Sequence, residues 1–155
     1  MSTEDKTIEG IVTINMPCQY GFLRIARQSV MDFCNRAGLT EYKASQLEMA
    51  VDEACANIIE HSYGGEVTFD DTTASHPGLQ MNLTHRGNAI VVEIHDFGRG
   101  FDHADLDEVS PEQYLENHRE RGLGMYIIQN FVDDMEYVRG DGKDRGNCLR
   151  PVKKA

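Results

Sequence analysis

Apolar positions along this chain alternate between a period of two and a period near 3.6, and each change of period marks a predicted element. Residues from about 7 to 15, TIEGIVTIN, alternate weakly and predict a first strand that Pro17 stops. From Tyr20 to about Ala37 the period becomes helical, with Phe22, Ile25, Ala26, Val30 and Phe33 as apolar positions and Gly38 at the end. Thr40 is placed to cap a second helix, which runs to about Tyr63 and meets Gly64-Gly65. The period then returns to two. Strands are predicted near 66–70, 79–86 and 89–95, with turns at His76-Pro77-Gly78 and Arg86-Gly87-Asn88. The stretch from His103 to Arg121 is polar and holds Pro111, so it reads as a loop. A helix follows from about Leu123 to Val132. Two short strands close the chain near 134–140 and 147–153, around a turn at Gly140 to Gly146. The order predicts an α+β two-layer sandwich.

The second helix carries more than packing. Leu47, Ala50, Val51, Ala54 and Ile58 form an apolar stripe. With Leu47 set at zero, the stripe lies within about 60° of zero, while Glu53, Asn57 and His61 fall near roughly 240°, 280° and 320°. Spaced by four and four within VDEACANIIEH, the trio lines one edge of the buried stripe. An acid, an amide and an imidazole at a core boundary read as the wall of a pocket.

Charge and cysteine usage narrow the classes. The chain has 155 residues and a net charge of -11, from 15 basic and 26 acidic side chains. That length fits one domain with a sizeable core, and the balance argues against nonspecific nucleic-acid binding, which needs clustered Lys and Arg. No run approaches the 18 or so apolar residues of a membrane span, and MSTEDKTIEG has no apolar leader core, so a cytoplasmic protein is expected. Cys18, Cys34, Cys55 and Cys148 form no CxxC pair and read as free, buried thiols. His85 and His95 have no helical metal-ligand partner in the sequence. Arg24, Arg27 and Arg36 on the first helix read as a solvated face, with contact to a protein partner as the sharper alternative.

Two glycine clusters add chemistry. Asp96-Phe97-Gly98-Arg99-Gly100-Phe101-Asp102 follows the strand IVVEIH. An acid at a strand end before spaced glycines makes a bend where a ligand can approach backbone, and its carboxylate can accept from an amine or amidine. An ordinary turn is the plainer reading. Arg121-Gly122-Leu123-Gly124 precedes the helix MYIIQNFVDDM. Glycines there expose N–H groups to an anion at a helix start, and Arg121 adds a fixed positive charge. Neither is a Rossmann fingerprint or a P-loop, because the third glycine and the GK[ST] are missing.

The order of these signals resembles the GHKL ATP-binding fold shared by histidine-kinase catalytic domains, gyrase B, Hsp90 and MutL. VDEACANIIEH is similar to its N-box, DFGRGFD to its first glycine box and RGLGMYIIQNF to its second. Within that group the likeness is to the small bacterial anti-sigma-factor serine kinases of the RsbW/SpoIIAB type, and it runs from about Thr7 to Lys154. It implies the GHKL (Bergerat) sandwich, a mixed and mostly antiparallel sheet covered on one face by about three helices. It also implies one ATP-binding kinase domain over 7–154, after a flexible 1–6.

The resemblance also implies roles. ATP and Mg2+ would be the cofactors. Asn57 would hold Mg2+, and Glu53 would be the catalytic base toward the incoming hydroxyl. Asp96 would accept the adenine amino group, with Gly98 and Gly100 letting the chain pass close to the nucleotide. Gly122, Leu123 and Gly124 would offer backbone to the phosphates beneath a lid from about His103 to Arg121, with Arg121 as a further contact to the terminal phosphate. His61 reads mainly as a packing residue beside Tyr63. The family often has Thr near the last strand, where this chain has Gly146-Asn147-Cys148, which leaves open whether Asn147 takes its place. Glu60 is assigned no role.

The activity so implied is ATP-dependent phosphorylation of a serine or threonine on a STAS-domain anti-sigma antagonist. Sequestration of a sigma factor and a homodimer formed through the first strand region are further expectations; nucleic acid and membrane are not expected as partners. The alternative is a nucleotide-gated protein-binding module with little kinase activity. A detached histidine-kinase catalytic domain ranks below both, since no dimerisation helix pair precedes Thr7. A gyrase-like or Hsp90-like ATPase ranks lowest, because it would need further domains for coupling.

Overall fold

A computed structural model describes residues 9–67, 78–101, 128–141 and 146–155. The backbone elements are β1 (Val12–Met16), a single 3-10 turn at Tyr20–Phe22, α1 (Leu23–Arg36), α2 (Glu41–Asn57), a π-helical turn at Ile58–Ser62, β2 (Leu79–Arg86), β3 (Ala89–Asp96), β4 (Asp134–Val138) and β5 (Asn147–Lys154). Residues 128–131 are also helical, within the helix expected from about 123 to 132; its first residues lie outside the described ones.

Local chemistry accounts for the boundaries. Thr40 caps α2, its Oγ1 accepting from the Lys43 N–H at 3.3 Å. Pro17 follows the last residue of β1 and supplies no N–H to extend it. Gly64 and Gly65, at φ +74 and +136, turn the chain out of the helical run in a conformation that favours glycine. The strand expected near 66–70 is not seen at 66 and 67, which are irregular, and 68–70 lie outside the described residues. There the Val67 N–H donates to the Cys18 carbonyl instead of a ladder.

The five strands form one sheet in the order β1-β2-β3-β5-β4. All four described pairings are antiparallel, so the mixed sheet expected from the resemblance is antiparallel throughout in these strands. β5 inserts between β3 and β4. This sets Asp96 opposite Asn147 and His95 opposite Cys148.

Helices α1 and α2 pack on one face of the sheet. Leu47, Ala50, Val51, Ala54 and Ile58 are all fully buried there, as the apolar stripe predicts. They meet Leu79, Met81 and Leu83 of β2, Ile90, Val92 and Ile94 of β3, and Leu149 of β5 in one cluster. On α1 the reading needs one correction. Ile25 is 52% exposed, whereas Leu23 and Cys34 are buried beside Ala26, Val30 and Phe33. Ile25 stands about 100° behind Ala26 around the helix, off the buried arc. The opposite sheet face carries polar and half-buried side chains, among them Glu93, His95, Cys148 and Arg150.

Candidate functional site

The end of α2, the loop after β3 and the start of β5 meet around Asp96. Its carboxylate is almost wholly buried, at 1% exposure, a placement that demands hydrogen-bond partners. Three donors converge on Oδ1: the Ser62 hydroxyl at 2.5 Å, the Gly98 N–H at 2.9 Å and the Asn147 side-chain amide at 3.0 Å. Among the described residues no donor reaches Oδ2. Asn147 also donates to the Gly98 carbonyl and accepts from the Gly140 N–H. It stands beside Asp96 through the cross-strand register.

The loop 97–101 is held through every one of its backbone N–H groups. Phe97 donates to the Tyr63 hydroxyl, Gly98 to Asp96, Arg99 to the Ser62 carbonyl, Gly100 to the Ser62 hydroxyl and Phe101 to the Tyr137 hydroxyl. The loop therefore presents a fixed surface rather than open amides. Two glycines make this packing possible. A Cβ on Gly98 would overlap the Ser62 backbone and hydroxyl. Gly100 has φ +78, and a Cβ there would lie 2.7 Å from the Tyr137 hydroxyl and 2.8 Å from the Asn147 Oδ1.

The trio on the second helix divides. Glu53 and Asn57 lie in regular α2, one turn apart. His61 lies in the π turn, where the Tyr63 N–H reaches back to the Ile58 carbonyl at 3.0 Å. The four-residue step from Asn57 to His61 is thus not a regular α-helical step. Such widened turns recur at functional sites. Here the turn delivers Ser62 to Asp96, and its His61 carbonyl accepts from Arg99 Nε at 2.6 Å. His61 itself is buried, with Glu60 Oε2 3.8 Å from its Nε2. Asn57 is buried and Glu53 half-buried.

Burial, and then the neighbouring Asp52 charge, push the Glu53 carboxyl above its ordinary 4.5. Asp52 is also raised by burial, though less freely, because Arg27 Nη1 lies 3.7 Å away and opposes the shift. That contact gives Arg27 a partner within the fold. Burial raises Tyr63 to about 12. Its hydroxyl is thus a neutral donor, and it donates to the Gly78 carbonyl while accepting from Phe97.

Asp96, Gly98 and Gly100 are therefore brought together with Asn147 and the end of the helix that carries Glu53 and Asn57. Arg121, Gly122, Leu123 and Gly124, and the lid from 103 to 121, lie outside the described residues. Ser62, Tyr63 and Tyr137 carry the loop yet escape sequence reasoning. Only the position of Ser62 and Tyr63, directly after the trio, could have pointed to them.

Comparison with known proteins bears on the family and the fold. Residues 17–153 match the family model described as the histidine kinase-like ATPase domain. The serine-protein kinase RsbW of Halalkalibacterium halodurans is 26% identical over 135 residues, covering 84% of this chain and 77% of that protein. RsbW of Bacillus cereus strain AH820 is 27% identical over the same length and covers 79% of that protein. Among solved structures, the fold is similar to that of the RsbU and RsbW domains of a Mycobacterium tuberculosis protein, at TM-score 0.62 and 14% identity over 94% of this chain and 32% of that one. It is also similar to the SiaB–SiaC complex of Pseudomonas aeruginosa, at TM-score 0.61 and 14% identity over 97% of this chain and 91% of that one.

Proposed function

The chain belongs to the histidine kinase-like ATPase domain family, and from that premise we propose that it is a cytoplasmic, ATP-dependent protein serine/threonine kinase of the anti-sigma-factor type, with residues 7–154 acting as one domain. Its substrate would be a STAS-domain anti-sigma antagonist. A sigma factor as sequestered partner, and a homodimer, belong to the same reading. The relatives named serine-protein kinase support the activity.

The observation that carries the reading is the Asp96 carboxylate. With three donors fixed on Oδ1, Oδ2 is the oxygen left to accept the exocyclic amine of adenine. Gly98 and Gly100 let the loop beside it pack closely onto Ser62, Tyr137 and Asn147.

Asn57 fits a hard cation, since its amide offers oxygen and Mg2+ takes oxygen ligands. When bound, Mg2+ would supply charge neutralisation along the phosphates. Glu53, one helical turn before Asn57, would take the proton from the incoming hydroxyl onto its carboxylate as the oxygen bonds the terminal phosphorus and the bond from that phosphorus to the ADP oxygen breaks. A half-buried carboxyl of raised pKa is better matched to that task than a fully solvated one. Arg121, Gly122, Leu123 and Gly124 would complete the site at the phosphates.

Calorimetry with ATP and Mg2+, followed by incubation of the complex with labelled ATP and a STAS-domain protein, tests the reading. Saturable binding with label on serine or threonine is expected. Binding without label would leave the nucleotide-gated module, and absence of both would overturn the site.

A further inference from the structure

The sheet face turned away from α1 and α2 brings together three side chains, two on β3 and one far along the chain on β5. Glu93 and His95 are alternate residues of β3, so they share a face, and β5 sets Cys148 directly opposite His95. Their ligand atoms all lie within 4.8 Å of one another. His95 Nε2 is 3.9 Å from Glu93 Oε2 and 4.0 Å from Cys148 Sγ. A tetrahedral zinc ion with ordinary bond lengths needs donors about 3.3–3.7 Å apart, so small side-chain rotations close the set. The residues lie behind Asp96 and Asn147, which face the helices.

We propose that Glu93, His95 and Cys148 form a zinc-binding site on the sheet face turned away from α1 and α2. The donor set argues for the metal. A thiolate with an imidazole and one carboxylate suits Zn2+, whereas Mg2+ and Ca2+ take oxygen alone. Glu93 and His95 are each about one-quarter exposed, at 27% and 28%, so the site is shaped yet reachable. Arg86 Nη2 stands 3.9 Å from Glu93 Oε1 and turns the other oxygen toward His95. Arg150, the nearby cation, is engaged by Glu136 Oε2 at 3.2 Å. On binding, the Cys148 thiol gives its proton to solvent and sulfur bonds the metal, leaving a fourth position for water. Burial and the Glu93 charge hold the free thiol near 11, so the site is a protonated thiol until metal arrives. Cys18, Cys34 and Cys55 are buried at 0–1% exposure and cannot compete in the folded chain. The metal would tie β3 to β5 at the rung next to Asp96 and Asn147.

Cobalt substitution tests the site, because a cobalt–thiolate bond gives a near-ultraviolet charge-transfer band. Metal-free full-length protein is titrated with Co2+ and then Zn2+, without nucleotide. One equivalent of Co2+ should raise the band and Zn2+ should abolish it. Cys148→Ser should remove the band, and His95→Gln and Glu93→Gln should each weaken Co2+ binding more than about tenfold. No band in the wild type, a band that survives Cys148→Ser, or unchanged Co2+ affinity in the other two variants would overturn the proposal.

Discussion

Asp96 shows how a single carboxylate can be fixed for one task. The amide of an Asp96→Asn variant has one oxygen, and the donors from Ser62, Gly98 and Asn147 all require it. Its NH2 would then face the adenine amine, donor against donor. ATP affinity should fall about tenfold or more, equivalent to ~1.4 kcal/mol, in a calorimetric titration. Unchanged affinity would remove Asp96 from the adenine site. Asn147 bears on the same oxygen and on the Gly140 N–H. Asn147→Ala should cost about 1–3 kcal/mol in denaturant unfolding, because it strands buried polar groups. Glu53 has a pH signature. Its folded pKa lies above the ordinary 4.5, so the fold favours the protonated form, and the associated stability is present at low pH and is lost as pH rises through the folded value. Only the ionised form accepts a proton. The acid limb of the transfer rate should therefore lie above pH 4.5, and a limb at or below that value would take the base role from Glu53. At this scale the sequence marks Asp96, Glu53 and Asn57 through residue type and spacing. It conceals Ser62 and Tyr137, which are ordinary residues until the backbone carries them to the loop.

At the scale of elements, α2 was legible because its buried stripe, its Thr40 cap and its glycine stop all agree. Thr40→Ala should lower stability by about 1 kcal/mol in chemical denaturation, the usual cost of a lost helix cap. Its last turn was less legible. Apolar spacing of 3.6 continues through Ile58, and nothing in it announces the widening that places Ser62. The loop after β3 makes the opposite demand, since its two glycines are visible and their purpose is spatial. Gly100→Ala forces a left-handed φ on alanine and pushes a methyl onto Tyr137 and Asn147. It should both lower the thermal midpoint and abolish measurable ATP binding, whereas an unchanged midpoint would mean the loop can reshape.

Over the whole molecule, the two sheet faces separate two groups of polar side chains. The helix-covered face holds Asp96 and Asn147 beside the end of α2, and the opposite face holds Glu93, His95 and Cys148. Period-two patterning revealed β1, β2, β3, β4 and β5, but not that β5 enters between β3 and β4. Long-range register is what sets Asn147 against Asp96 and Cys148 against His95, and no local pattern encodes it. Local pattern makes Cys148 a buried thiol, whereas in the fold it is only half-buried. Among the described residues no helix is long and apolar enough to cross a membrane. We propose that the carboxylate of Glu53 makes this nucleotide-binding fold a kinase. The most direct test is a single-turnover transfer from labelled ATP to a STAS-domain protein by wild type and Glu53→Gln, with ATP affinity measured in parallel. Unchanged ATP affinity with a loss of transfer of about 10²–10⁴-fold is expected; wild-type transfer rates in Glu53→Gln would take the base role from Glu53.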